Sequence, residues 1–196
     1  MGKVLTHMTM SLDGFIAGPD DQVDELFEWY GAGDIGTPSA NDDVAFNFDE
    51  TGAEAWRALT GRVGALVSGR RLFDLTDGWG DNHPAGAPVV VVTHDPPDDA
   101  ATRWPRTAFV EGVEKAVVKA REIAGDDDVT IMSPGVIQQA LDLGLVDDVC
   151  VSLAPVLFGE GISYFGRLQH GHLLLEDPVV QQGRRALQLR YPVRRS

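Results

Sequence analysis

The chain has 196 residues, 43% hydrophobic and 23% charged, an ordinary soluble composition that buries a core without a metal or disulfide staple. Thirty acidic against 16 basic residues leave a net charge of -14, a field that repels phosphate backbones and anionic membranes and excludes both as principal partners. The single cysteine, Cys150, permits no internal disulfide and, within a strand-like apolar run, reads as an inert buried thiol.

Apolar β-branched runs alternate with helical patterns, which predicts an α/β protein with a mostly parallel sheet, read here as one domain over 1–196. Residues 4–12 form a first strand that ends at Asp13 and Gly14. Asp20 and Asp21 open a short helix carrying Leu26, Phe27 and Trp29. Residues 31–48, rich in Gly, Ala, Asp, Asn and Pro, read as a long irregular loop, a kind more often functional or mobile than incidental. A helix at 50–59 precedes a strand at 65–68, a turn at 69–71 and a helix at 72–75. The four valines at 89–92 suit a central parallel strand, apolar on both faces. Residues 95–105 form a Pro- and Asp-rich loop, and 107–110 a strand. The helix at 113–124 sets Val113, Ala116, Val117, Ala120 and Ile123 on one face. After a strand at 129–132, Ser133 suits an N-cap, Pro134 the first helical position and Gly144 the helix stop. Residues 149–153 alternate as a strand, and 173–193 form a hairpin turning at Gln182 and Gly183. No signal peptide is visible and no apolar run approaches the roughly 20 residues that span a bilayer, so the expected location is cytoplasmic.

Ligands of open α/β sheets bind beyond the carboxyl ends of the strands, where helix starts gather. Three turns qualify. Ser68, Gly69, Arg70 and Arg71 combine close backbone approach, free amides and positive charge, which suits a phosphate; equally, they are a turn glycine followed by surface arginines. Thr93 and His94 offer a hydroxyl and an imidazole to a phosphate or ribose. Ser133, Pro134 and Gly135 open a helix that can cradle a pyrophosphate or simply be well capped; no G-x-G-x-x-G is present. Asp13 can orient a substrate or relay a proton, though a turn carboxylate is the commoner role. His170 and His172 share a strand face without a third ligand in reach, so no metal site is expected.

Family resemblance extends this reading. Residues 11–18 (Ser-Leu-Asp-Gly-Phe-Ile-Ala-Gly) resemble the opening motif of the riboflavin-biosynthesis reductase domain and its stand-alone relatives. Residues 69–74 resemble that family's cofactor-binding turn, 89–94 its central strand, and 144–148 with 154–161 its late signature. The blocks follow in order along essentially the whole chain. The resemblance implies a three-layer dihydrofolate reductase-like fold with helices on both faces and an antiparallel C-terminal hairpin. It also implies a homodimer and a reduced nicotinamide cofactor, NADPH with NADH not excluded. The best single activity is 5-amino-6-(5-phosphoribosylamino)uracil reduction; the alternatives are a dihydrofolate-type reductase using Asp24 or Glu25, or a catalytically silent ligand-binding homodimer.

By position, the resemblance places Gly69, Arg70 and Arg71 on the adenylate side, and Thr93 and His94 at the adenosine ribose or its 2′-phosphate. Ser133, Pro134, Gly135, Val136 and Ile137 receive the pyrophosphate, and Ala17 and Gly18 lie near the nicotinamide. Asp13, with Ser11, faces the substrate, and Trp29 walls a flat heterocycle. Two positions depart from the family. Met132-Ser133 or Ser133-Pro134 replaces a glycine pair, and in the second register the proline supplies a cis bond. Asp95 stands where relatives often carry arginine, and its carboxylate repels a 2′-phosphate.

Overall fold

The computed structural model describes residues 2–169 and 171–194. In chain order the elements are β1 (Val4–Ser11), β2 (Phe15–Ala17), a 3-10 helix (Asp24–Gly31), β3 (Ile35–Thr37), β4 (Phe46–Phe48), α1 (Glu50–Thr60), β5 (Val63–Gly69) and α2 (Arg70–Leu75). A second 3-10 segment (Asp77–Asp81), β6 (Val89–Val92), α3 (Ala100–Arg103), β7 (Thr107–Val110), α4 (Val113–Ala124), β8 (Asp128–Ile131) and α5 (Pro134–Asp142) follow. The chain closes with β9 (Asp148–Ala154), β10 (Ile162–Ser163), β11 (Val179–Gln182) and β12 (Leu187–Pro192).

Eight strands build one sheet in the order β11-β12-β9-β1-β8-β5-β6-β7. Pairing is parallel from β9 through β7, and the C-terminal β11–β12 hairpin joins β9 antiparallel. The valine run of β6 shows why the sheet is covered on both sides. Val90 packs with α4 and α5 residues such as Ala116, Ala120 and Ile137, whereas Val89 and Val91 pack with Phe73 of α2 and with Trp104. The α4 stripe is buried at Ala116, Val117 and Ala120, but Ile123 is 37% exposed, one step past the covered face. A third cluster of Trp29, Phe46, Phe48 and Ala53 packs beside the C-terminal hairpin at Ala186.

Several sequence expectations change. The segment 31–48 is not irregular throughout: β3 and β4 pair antiparallel, Ile35 with Phe48 and Thr37 with Phe46, because alternate aromatics of β4 are driven into the third cluster. The loop at 95–105 contains the short α3. Asp20 and Asp21 precede the first 3-10 helix and do not open it, since Asp21 turns left-handed with φ 61°.

The connections create one special place. From β5 the chain leaves through α2 toward the Phe73 side, and from adjacent β8 it leaves through α5 toward the opposite side. Adjacent parallel strands whose following helices diverge leave a crevice at their carboxyl ends, the topological switch point where open sheets bind ligands.

Candidate active site at the switch-point crevice

Two helix starts meet across this crevice. Ser133, between β8 and α5, holds φ 101° and ψ 122°, a backbone region that favours glycine. Its hydroxyl does not cap α5; it accepts the Gly69 N–H at 2.9 Å and so joins the ends of β8 and β5. Glycine at 69 relieves crowding opposite it, because a Cβ there would stand 3.3 Å from the Ser133 Cβ. The expected cis proline is corrected: the described residues contain no cis peptide bond, and Ser133 itself takes the positive φ of the absent glycine. The Val136 and Ile137 amides both bond the Ser133 carbonyl, at 3.1 and 2.9 Å. Pro134 has no N–H, which leaves the Gly135 amide without a partner inside the helix. Gly135 itself is exposed, and a Cβ there would meet nothing within 4 Å, so this helix start is open to a ligand.

The arginines of the turn are already engaged. Arg70 donates through Nε to both Asp74 carboxylate oxygens, at 2.8 and 3.0 Å, and through a terminal nitrogen to the Asp95 carbonyl. Arg71 pairs with Asp21, Nε to Oδ1 at 3.1 Å, which ties the 18–22 turn to the start of α2. At the end of β6 the Thr93 hydroxyl closes a local turn, accepting the Asp95 N–H at 3.1 Å and donating to its carbonyl at 3.3 Å. His94 is exposed.

The opening and late sequence blocks, 140 residues and more apart, are packed together. The Leu12 amide bonds the Val156 carbonyl at 2.8 Å, and Tyr164 donates its amide to Gly14 at 2.9 Å. β2 pairs with β10, Ala17 opposite Ile162, and Gly161 lies so close that a Cβ there would stand 2.1 Å from the Ala17 carbonyl oxygen. Gly18 closes the next turn on Gln22 at 2.8 Å. Asp13 is the anchor between the blocks: it accepts from the Ser11 hydroxyl at 2.6 Å, the Gly159 amide at 2.7 Å and the Phe158 amide at 3.3 Å. The Ser11 hydroxyl and the Gly159 amide, chief among these donors, hold the Asp13 carboxyl below its usual range. A carboxylate kept ionised in this way orients its surroundings and is a poor proton donor at neutral pH.

Trp29 is 7% exposed, stacks on Phe48 at 5.2 Å and donates its indole N–H to Thr9 at 3.3 Å. It braces the floor of the sheet from inside the aromatic cluster. Of the carboxylates considered for a dihydrofolate-type site, Glu25 is exposed and the Asp24 side chain lies outside the described groups. The pairing of His170 with His172 also lies outside the described residues. Among those described, no group of three His, Cys, Asp or Glu could hold a metal.

Sequence reasoning missed a polar chain on the face of the sheet under Trp29. His7 Nε2 lies 3.0 Å from the Ser152 hydroxyl, which donates to Gln188 at 2.6 Å. Burial lowers the His7 pKa to about 4, so its imidazole is neutral. On the same face Thr130, flanked by Leu5 and Leu66, has a buried hydroxyl with no hydrogen-bond partner among the described residues. Only alternation along β1, with His7, Thr9 and Ser11 at a spacing of two, hinted at a polar floor.

The fold as a whole is similar to known structures. A protein from Shewanella sp. PV-4 assigned to riboflavin biosynthesis matches with a TM-score of 0.73 and 23% identity, over 98% of this chain and 99% of that one. Dihydrofolate reductase from Enterococcus faecalis, complexed with NADP(H) and RAB-propyl, matches at 0.61 and 15% identity, over 98% and 96%. A pyrimidine reductase-like protein from Corynebacterium diphtheriae matches at 0.60 and 14% identity, over 100% and 93%. These likenesses define the class: the fold is dihydrofolate reductase-like. The model of the RibD C-terminal domain matches residues 2–188, and the chain belongs to that family. No curated protein matches the sequence. Among the described residues no helix is long and apolar enough to cross a membrane.

Proposed function

We propose that the protein is a reductase that uses a reduced nicotinamide dinucleotide on a small pyrimidine- or pteridine-like substrate. Reduction of 5-amino-6-(5-phosphoribosylamino)uracil, as in riboflavin biosynthesis, is the best single assignment, and NADPH is the donor that the resemblance implies. The observation that carries the reading is the Ser133–Gly69 bond across the switch-point crevice, with the exposed helix start at Gly135 beside it.

The residues present fit a dinucleotide. Pyrophosphate is an acceptor-only group, and Ser133 and Gly135 offer it a hydroxyl proton and an amide at a helix start. Ala17 and Gly18 border the nicotinamide end, and the Asp13 anchor keeps the 158–159 turn against Ser11 where substrate enters. When bound, nicotinamide supplies the hydride, and the chain supplies orientation and exclusion of water. Asp13 acts by position and charge.

Titration of the protein with NADPH and NADH by tryptophan fluorescence tests the reading. Saturable micromolar binding, followed by turnover of the phosphoribosylamino-pyrimidine in preference to dihydrofolate, is expected. No binding of either dinucleotide would overturn it.

A further inference from the structure

Resting on that reading, we infer that the adenosine end of the crevice is built for a free ribose diol, with Asp95 as the discriminating residue, so that NADH is preferred to NADPH. The strand order β1-β8-β5-β6 sets the direction. With pyrophosphate between β8 and β5 and nicotinamide toward Ala17 beyond β1, the adenosine lies over the end of β6. That end carries Thr93, His94 and Asp95.

A 2′-phosphate brings close to two negative charges and needs unclaimed cations. The arginines of the turn are claimed: Asp74 holds Arg70 in a two-oxygen pair, and Asp21 holds Arg71. Arg70 also donates to the Asp95 carbonyl, which brings the Asp95 backbone to the guanidinium and sets its side chain at the same strand end. The Thr93 hydroxyl, the neutral donor that a phosphate would use, is spent on the Asp95 turn. Around it, beside the exposed His94 imidazole, the exposed ionisable groups are acidic: Asp95, Asp98 and Asp99 on the loop, and Glu111 following β7, whose Val110 carbonyl bonds the Thr93 amide at 3.0 Å. The Asp95 carboxylate is exposed and takes no partner among the described residues.

An anion placed here would share Arg70 with the Asp74 carboxylate and lie at the strand end that carries Asp95. A ribose 2′-hydroxyl needs no cation. It donates to a carboxylate, the interaction by which dinucleotide folds recognise an unphosphorylated ribose. The acidic exterior, with its net charge of -14, acts in the same direction.

Parallel titrations with NADH and NADPH at fixed low ionic strength, on the wild type, Asp95→Asn and Asp95→Arg, test the assignment. NADH is expected to bind the wild type about ten-fold or more tighter. Asp95→Asn should narrow that ratio and Asp95→Arg invert it, with the unfolding midpoint unchanged because the side chain is exposed. Equal or tighter NADPH binding by the wild type overturns the preference and leaves the dinucleotide reading standing. An unchanged ratio in Asp95→Asn overturns the role of Asp95. Absence of binding by either dinucleotide overturns both inferences.

Discussion

The Ser133 hydroxyl accepts the Gly69 amide proton at 2.9 Å while its own backbone is held at φ 101°. One residue thus contributes a bond and a strain. Positive φ costs a residue with a side chain about 1–2 kcal/mol, and the bond contributes about 1 kcal/mol. Ser133→Gly should therefore leave stability nearly unchanged, because relief of strain offsets the lost bond. Ser133→Ala keeps the strain and leaves the Gly69 amide unpaired, and should lose about 1–2 kcal/mol in urea unfolding. If alanine is tolerated as well as glycine, the hydroxyl does not tie the two strands.

Two half-buried histidines set the acid response. Burial lowers His7 to about 4 and His83 to about 3. Both values lie below the unfolded value of about 6.5, so unfolding takes up protons. Stability from each is complete above the unfolded value and is lost as pH falls toward the folded one, at up to ~1.4 kcal/mol per pH unit per group. Between about pH 6 and 4, urea midpoints should fall steeply, and His7→Gln should flatten that slope while keeping a hydrogen bond to Ser152 within reach. A flat profile would show that His7 charges freely in the folded state.

The strands at 89–92 and 107–110 and the helices at 113–124 and 134–142 were legible because each follows from local periodicity or a cap signal within its own residues. The β3–β4 hairpin was not. Its strands are three residues long, and the aromatics of β4 become strand residues only when Trp29 and Trp56 close over them. The same limit applies to the site. The three turns were legible as candidates because strand ends followed by helix starts are local. The pairing of Ser133 with Gly69, 64 residues apart, the neutralisation of Arg71 by Asp21, and the His7–Ser152–Gln188 chain depend on tertiary approach. Asp13 was visible, but its partners at 158 and 159 were not, and they decide that it anchors a turn.

Residues Asp77, Gly78, Trp79, Gly80 and Asp81 all have positive φ, from 49° to 63°, a left-handed turn that L residues resist. Side chains over-determine it. Asp81 accepts the Arg106 amide at 2.9 Å and the Thr107 hydroxyl at 3.0 Å, and Asn41 donates to the Trp79 and Asn82 carbonyls. At Gly78 a Cβ would stand 2.6 Å from both the Phe73 ring and the Trp104 indole nitrogen. Gly78→Ala should cost about 3 kcal/mol or more, strain and overpacking adding. Gly80→Ala, with the same backbone but open space, should cost only about 1 kcal/mol. Thermal unfolding of the two variants separates these terms, and equal losses would place the whole cost in the backbone.

Arg71 is 70% exposed and Asp21 20%, and an ion pair so open contributes little to stability, about 1 kcal/mol at most. Its effect lies elsewhere, because Asp21 cancels a cation in the first turn of α2, where a diphosphate would gain from it. Asp21→Asn removes that charge while keeping a residue that tolerates φ 61°. The variant should unfold near the wild-type midpoint and bind both dinucleotides several-fold tighter at low salt. The gain should fade as the Debye length drops toward 3 Å near 1 M salt, a behaviour of roughly screened surface charge. NADH and NADPH should gain equally, since Arg71 would act on the diphosphate that they share. A gain confined to NADPH would place Arg71 at the 2′-position, and no gain for either would remove it from the dinucleotide site.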